Sequence, residues 1–258
     1  MFTFAAMMKA MIFAAGLGPR LKPLTDTMPK ALVPVGGKPL LEIQIRKLVA
    51  AGFTDIVVNV HHFAEQIVRF VEERDGLGAR VRFSDESGAL LDTGGGIRKA
   101  ALLLSGGDGD GMPFLVHNVD ILSNVDLAGF YRSGRDAAAC LLVSSRQTQR
   151  YLLFDEENRL VGWTNLKTGE VKSPYPELDV AACRKYAFAG IHTFSPRLFP
   201  YFEGWPEKFS VIDFYLSVCD KEPIYACPSP GLKVLDVGKP ESLAQAEDFL
   251  ARECCPSR

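Results

Sequence analysis

Four stretches of this sequence hold residue types suited to phosphate chemistry. The first runs from Gly16 and Gly18 through Arg20 to Lys30, directly behind the apolar run Met11 to Ala15. Glycines after a strand let the backbone turn tightly and bring its N–H groups against a polyphosphate with no Cβ in the way. Arg20 and Lys30 add charge that backbone dipoles lack. An ordinary tight turn can hold the same glycines, so the pair alone leaves both readings open. It is not a dinucleotide fingerprint, because the third glycine is missing and Pro23 opposes an immediate helix, and the absence of Gly-Lys-Ser/Thr excludes a Walker A loop. The second stretch is Asp92, Thr93, Gly94, Gly95, Gly96, in front of a helical pattern. Asp92 or Thr93 as a helix cap accounts for part of it, but three glycines exceed what a cap needs and admit a flat ligand close to the backbone. The third is Asp120, after the buried-strand pattern Pro113 to His117 and then Asn118 and Val119. A carboxylate there points into the usual α/β crevice, or else caps the helix after Ser123. The fourth is Asp236, which ends the apolar run Leu232 to Leu235 and reads as a turn residue or a ligand.

The elements that must position these residues follow an α/β pattern. Between Lys9 and Ser144, strand candidates at Ala10–Ala15, Asp55–Val60, Arg80–Ser84, Pro113–His117 and Ala137–Val143 are separated by helical patterns. Those patterns cover Leu40–Ala51, Ala64–Glu73, Gly95–Leu104 and Leu127–Ser133, with apolar residues three and four apart. The alternation predicts β-α-β units around a mainly parallel sheet with helices on both faces. Beyond Ser144, Tyr151–Asp155 and Arg159–Trp163 flank the polar turn Glu156 to Asn158 and read as a hairpin. A Pro-rich connection, Ser173 to Glu177, leads to a strand at Tyr186–Phe194, and Pro240–Ala251 reads as a final helix. The second half is expected to extend the same sheet within a single domain, and Gly106 to Gly111 reads as a surface loop.

Composition sets the outer bounds. The chain has 258 residues, 47% apolar and 23% charged, which is ordinary globular usage. Its 29 basic and 31 acidic residues give a net charge of −2, so no global positive field exists to hold nucleic acid or an anionic membrane. No run reaches the roughly 18 apolar residues of a transmembrane helix. Phe2 to Ala15 lacks a basic leading segment and is interrupted by Lys9, so it is read as a short extension before the first strand, with Met8 a plausible start. Cys140, Cys183, Cys219 and Cys227 are scattered without paired spacing and Cys254 and Cys255 are adjacent; the expectation is buried or incidental thiols in a reducing cytoplasm. His61, His62, His117 and His192 show no metal or triad spacing and are read as structural.

The run AAGLGPRLKPLTDTMPKALVPVGGKPLLE, Ala14 to Glu42, resembles the signature loop of the sugar-1-phosphate nucleotidyltransferase family, approximately GxGxRLxPLTxxxPKxLxPV. Position 19 departs from it, holding proline where a small polar or charged residue is usual. The resemblance implies a Rossmann-like, GT-A-like fold, with a nucleotide-binding half at 9–144 and a sugar-binding β extension and second metal ligand at 145–258. It implies that the loop wraps a nucleoside triphosphate through Ala14, Ala15, Gly16, Gly18, Arg20 and Lys30. The LDTGGG stretch resembles the family's base-reading segment, implying base contacts at Thr93, Gly94 and Gly95 with Glu86 as the upstream carboxylate. Asp120 and Asp236 match its two Mg²⁺ aspartates, with Val119 where glycine is common. Mg²⁺ asks for hard oxygen donors and often takes only one or two protein carboxylates plus substrate phosphate. On the sugar side the resemblance implies contacts from Asn118 and from Gly190 in the strand Tyr186 to Ile191. Lys208 and Asp213 are further candidates, and Trp163 and Asn165 are candidates for the acceptor pocket.

The implied reaction joins a nucleoside monophosphate to a sugar 1-phosphate and releases pyrophosphate, with no Ser, Cys or His base needed. A carboxylate before TGGG, in a chain that stops soon after its last helix, resembles the short uridylyltransferases acting on N-acetylmuramic acid 1-phosphate. UTP is therefore the expected nucleotide. The alternatives are GTP with mannose or heptose 1-phosphate, or a non-catalytic sensing subunit on the same fold. A nicotinamide oxidoreductase is disfavoured by the missing third glycine. The expected setting is cytoplasmic, as a monomer or small homo-oligomer.

Overall fold

The computed structural model describes residues 8–105 and 111–254; the extension before Met8, most of the Gly106 to Gly111 loop and Cys255 lie outside the described residues. From the N-terminus the chain forms β1 (Met8–Phe13), 3₁₀ turns at Pro19–Leu21, Leu24–Asp26 and Lys30–Leu32, β2 (Pro34–Val35), β3 (Lys38–Pro39), α1 (Leu40–Ala50), β4 (Phe53–Val60), α2 (Ala64–Glu72) and β5 (Arg80–Asp85). There follow α3 (Asp92–Ser105), β6 (Phe114–Asn118), β7 (Ile121–Ser123), α4 (Leu127–Ser133) and β8 (Ala139–Ser144). The remainder comprises β9 (Arg150–Phe154), β10 (Leu160–Asn165), β11 (Glu170–Lys172), β12 (Arg184–Phe194), α5 (Val211–Val218), β13 (Ile224–Pro228), β14 (Val234–Asp236) and α6 (Pro240–Phe249).

The order β5–β4–β1–β6 is parallel, with Ile12 beside Val58 and Met11 beside Val116. Period-two alternation sends Ala10 and Ile12 into one apolar layer and Met11 into the other. The first layer collects Leu41, Ile45 and Leu48 of α1, Ile67 and Val71 of α2, Phe130 of α4 and Ala246 of α6. The second collects Ile97 and Leu104 of α3 with Phe214 and Tyr215 of α5. Helices thus cover both faces of one mixed sheet.

β12 lies antiparallel against β6, with Ile191 opposite His117, and carries the sheet outward to β9, β10 and β11. β8 pairs with β12 and then, in parallel, with β13. The expected elements are present, with three differences. β1 ends at Phe13 rather than Ala15, because Ala14 and Ala15 give their N–H groups to the Asn59 side chain, at 2.7 and 3.3 Å. α3 starts at Asp92, before the glycines. β2, β3, β7, β11, β13 and α5 are additional to the expected elements.

The cysteines require a correction. Cys140 and Cys227 form a disulfide, while Cys183 and Cys219 are free. The parallel β8–β13 register sets Tyr225 beside Cys140, which puts Cys227 on the diagonal with its Cα 6.1 Å away, inside disulfide range. A contact made by sheet topology leaves no trace in cysteine spacing.

Candidate active site

A cavity of about 380 Å³ opens at the carboxyl ends of β1, β4 and β6. Among the residues proposed from sequence, Ala15, Gly16, Lys30, Glu86, Thr93, Asn118, Asp120 and Lys208 line it. So do Asn59, which the sequence reading passed over, and Val119.

The loop after β1 is shaped so that Lys30 reaches this space. Gly18 adopts φ 62°, and a Cβ there would stand 3.0 Å from both the Lys30 Cβ and the Thr25 Cγ2, so a side chain would be strained by conformation and crowded by both neighbours. The Thr25 hydroxyl donates to the Gly18 carbonyl at 2.9 Å and pins the turn. Lys30 is only 8% exposed, and its ammonium forms an ion pair with the Asp120 carboxylate.

Asp120 is held by backbone on both sides. Val119 N–H donates to the Phe13 carbonyl at 3.1 Å, and the buried Gln44 amide donates to the Ile121 carbonyl at 2.7 Å. β14 returns antiparallel to β7 with Asp236 opposite Ile121, and Val237 N–H donates to the Asp120 carbonyl at 2.8 Å. The two aspartates therefore sit on facing strand ends. Asp236 and Arg20 converge over Gly238, where a Cβ would lie 2.7 Å from Asp236 Oδ1 and 2.6 Å from Arg20 Nη2. Neither lines the cavity itself. Asp120 is not a helix cap; that role belongs to Asp126, whose Oδ1 accepts from Gly129 N–H at 3.0 Å.

On the far wall, Glu86 is fully buried, and its carboxylate accepts from Asn59 Nδ2 at 2.7 Å and from Leu91 N–H at 3.3 Å. Burial pushes its carboxyl above the usual range, against the effect of those two hydrogen bonds. The glycines need a correction. Gly94 and Gly95 do not line the cavity, because their N–H groups donate to the Phe209 carbonyl at 2.9 and 3.3 Å. Side chains at these positions would strike the Phe209 ring and the Glu207 carbonyl, so these two glycines seat α3 against the 207–209 segment. Thr93 faces the cavity, and its hydroxyl accepts from Val211 N–H at 2.9 Å.

The sugar-side candidates separate. Gly190, at φ 76°, packs on Asn118, whose Nδ2 would be 2.9 Å from a Cβ at that position. Asp213 does not line the cavity: it forms an exposed ion pair with Lys172 at 2.9 Å. Trp163 borders a separate 220 Å³ hollow with Arg146, Arg150 and Phe188, and the Asn165 side-chain oxygen accepts from Lys167 N–H at 3.0 Å inside its own hairpin turn. His117 and His192 are buried, and burial lowers each imidazole to about 3.

The profile of the Nucleotidyl transferase family matches residues 9–253. The chain is 33% identical over 248 residues to the N-acetylmuramate alpha-1-phosphate uridylyltransferase of Caulobacter vibrioides, covering 94% of this chain and 96% of that one. It is 42% identical over 126 residues to the enzyme of the same name from Neisseria meningitidis serogroup B, a match spanning 49% of this chain and about half, 52%, of that relative. In three dimensions it is similar to the crystal structure of HddC from Yersinia pseudotuberculosis complexed with GMP-PN, with TM-score 0.72 at 22% identity over 95% of this chain and 100% of that one. The fold and the family profile place the chain in the nucleotidyl transferase family, to which it belongs. Within it, the enzyme is a sugar-1-phosphate nucleotidyltransferase.

Proposed function

We propose that this enzyme transfers a uridylyl group from UTP to N-acetylmuramic acid 1-phosphate or a related hexose 1-phosphate, with Mg²⁺ as cofactor. The observation that carries the reading is the Lys30–Asp120 ion pair beside the glycine loop, with Asp236 on the strand that pairs back to Asp120, in a chain alike over nearly its whole length to an N-acetylmuramate 1-phosphate uridylyltransferase.

Asp120 and Asp236 are hard carboxylate donors on paired strand ends, a set that suits a small divalent cation completed by water and phosphate. They would hold the ion, which when bound would offset phosphate charge and orient the substrates for in-line attack. The remaining work falls to the chain. Lys30, kept in place by Asp120, presents its ammonium to the phosphate undergoing transfer, and Arg20 draws the departing pyrophosphate. An oxygen of the sugar phosphate forms the new bond to the α-phosphorus as the bond from that phosphorus to the pyrophosphate oxygen breaks. That oxygen is already ionised near neutral pH, so no proton need be removed and positioning dominates. Buried, neutral His117 and His192 are consistent with that economy. Asn118 and Lys208, which line the same cavity, serve the sugar phosphate. The reading goes with a monomer or small homo-oligomer without nucleic-acid or membrane partners in the cytoplasm, a setting that the Cys140–Cys227 disulfide does not itself favour; among the described residues no helix is long and apolar enough to cross a membrane.

The test is competition among UTP, GTP, CTP, ATP and dTTP at equal concentration, with a panel of sugar 1-phosphates and pyrophosphate release as readout. UTP with N-acetylmuramic acid 1-phosphate should lead. A clear preference for GTP with mannose or heptose 1-phosphate would overturn the substrate assignment and leave the reaction class standing.

A further inference from the structure

Asn59 interrupts a run of buried valines near the end of β4, yet its side chain meets none of the strand's own hydrogen-bonding needs. It is 3% exposed and lines the cavity. Its Oδ1 accepts from Ala14 N–H at 2.7 Å and Ala15 N–H at 3.3 Å, the two residues at which the chain leaves β1 for the glycine loop. Its Nδ2 donates to Glu86 Oε1 at 2.7 Å, and Glu86 Oε2 accepts from Leu91 N–H at 3.3 Å. Two backbone donors force the amide oxygen toward the loop, so the amide nitrogen has to face the carboxylate. Donation runs from Ala14 through Asn59 to Glu86, and the carboxylate also accepts from Leu91 on its other side. Gly96 leaves room for it: a Cβ there would be 2.9 Å from Glu86 Oε1 and 3.3 Å from Asn59 Nδ2. Glu86 meanwhile lines the cavity with both carboxylate oxygens engaged, one by Asn59 and one by Leu91 N–H, so its place in the wall is fixed.

We propose that Asn59 is a positioning residue for the nucleotide: its amide locks the Glu86 wall, where the base is read, to the head of the loop that carries the phosphates. The inference rests on the reading of this cavity as a nucleoside triphosphate site. Base and triphosphate are the two ends of one ligand, and fixing their receptors to each other removes a loop-ordering cost that would otherwise fall on binding. A sugar phosphate touches neither receptor. Asn59 should therefore govern affinity for the nucleotide and discrimination between bases, and leave affinity for the sugar phosphate alone.

Reversing the polarity tests this. In Asn59→Asp the new carboxylate still accepts from Ala14 and Ala15 but confronts Glu86, a buried like-charge contact. In Asn59→Asp with Glu86→Gln the glutamine amide donates to the new carboxylate at position 59, its carbonyl accepts from Leu91 N–H, and the buried charge stays at one. The wild-type enzyme and the variants Asn59→Asp, Glu86→Gln and the double variant would be compared for the KM of UTP, the KM of the sugar 1-phosphate, kcat and the UTP:GTP ratio in competition. Asn59→Asp should raise the KM of UTP about tenfold or more and flatten the base ratio, with the sugar-phosphate KM unchanged. The double variant should return to within about threefold of wild type, on the scale of one imperfect hydrogen bond. Should Asn59→Asp not fold, the double variant must still bind UTP more tightly than Glu86→Gln alone, which places an amide donor against Leu91 N–H. The proposal is overturned if the double variant is no better than Glu86→Gln, if Asn59→Asp leaves the nucleotide KM as it was, or if both substrate KM values rise together as in a general loss of structure. A wild-type enzyme that neither binds UTP nor releases pyrophosphate from any nucleoside triphosphate sinks the nucleotide reading, and this inference with it; an active wild type with an indifferent Asn59→Asp sinks only the inference.

Discussion

The two sides of the cavity are built on different terms. On the side proposed for the nucleotide, four of the polar groups are fixed by others: Lys30 by Asp120, Asp120 by β14, Glu86 by Asn59, Asn59 by the backbone of the loop. On the side proposed for the sugar, the candidates are Asn118, the glycine packed on it, an exposed lysine and an aspartate already paired with Lys172 at the surface. Preorganisation costs a binding site least when the ligand never changes, and a triphosphate is the invariant half of this reaction class. The looser side is where different acceptors can be accommodated.

The largest effect that would break the contrast lies at its centre. Asp120→Asn or Asp236→Asn should cut turnover by about two orders of magnitude or more, since each removes a charge where phosphate charge must be balanced, while thermal melting stays cooperative. Near-normal Mg²⁺-dependent rates in both variants would remove the aspartates from the mechanism. Next, Lys30→Ala should lower kcat/KM for the nucleotide about a hundredfold, and Arg20→Ala, whose guanidinium is exposed, about tenfold. A change confined to the sugar-phosphate KM would assign these residues to the wrong substrate.

A smaller loss should follow Gly190→Ala. Its φ of 76° and the nearby Asn118 cost about 1–3 kcal/mol of strain, which should appear as a raised KM for the sugar phosphate with unchanged nucleotide binding. Equal losses for both substrates would mean that the strand as a whole has moved. Asp213→Asn should change either KM by less than about twofold, because an exposed pair contributes at most about 1 kcal/mol.

Acid should act on stability rather than on the chemistry. His117 and His192 are lowered to about 3 by burial, whereas an unfolded histidine titrates near 6.5. Below pH about 6.5 the unfolded chain takes up these protons first, so each histidine should cost about 1.4 kcal/mol per pH unit down to about pH 3, with no contribution above that window. Urea midpoints at pH 7.5 and 5.5 would measure this, and His192→Leu should reduce the slope. An unchanged slope would mean that His192 holds its proton in the fold.

Much of this was legible in the residues, and the failures have a common origin. Long periodic segments such as Leu40–Ala50 and the loop from Gly16 to Lys30 announce themselves because the signal is local. Asn59 was invisible because it sits inside an apolar run and belongs to no motif; its one clue is an amide between the buried Val58 and Val60. Gly94 and Gly95 look the same in sequence whether they admit a ligand or a neighbouring loop, and Phe209, far along the chain, decides for the loop. Asp213 and Cys227 misled for the same reason, since their partners Lys172 and Cys140 are set by tertiary contact.

The return of β14 onto β7 also bears on when the enzyme becomes an enzyme. Asp236 comes from the closing stretch of the chain, and its neighbour Val237 closes a hydrogen bond to Asp120, laid down far earlier. During synthesis the N-terminal strands and the glycine loop can assemble first. On the proposed function, a polypeptide cut before β14 would keep the glycine loop and Asp120 but lack Asp236, and should hold a triphosphate without consuming it.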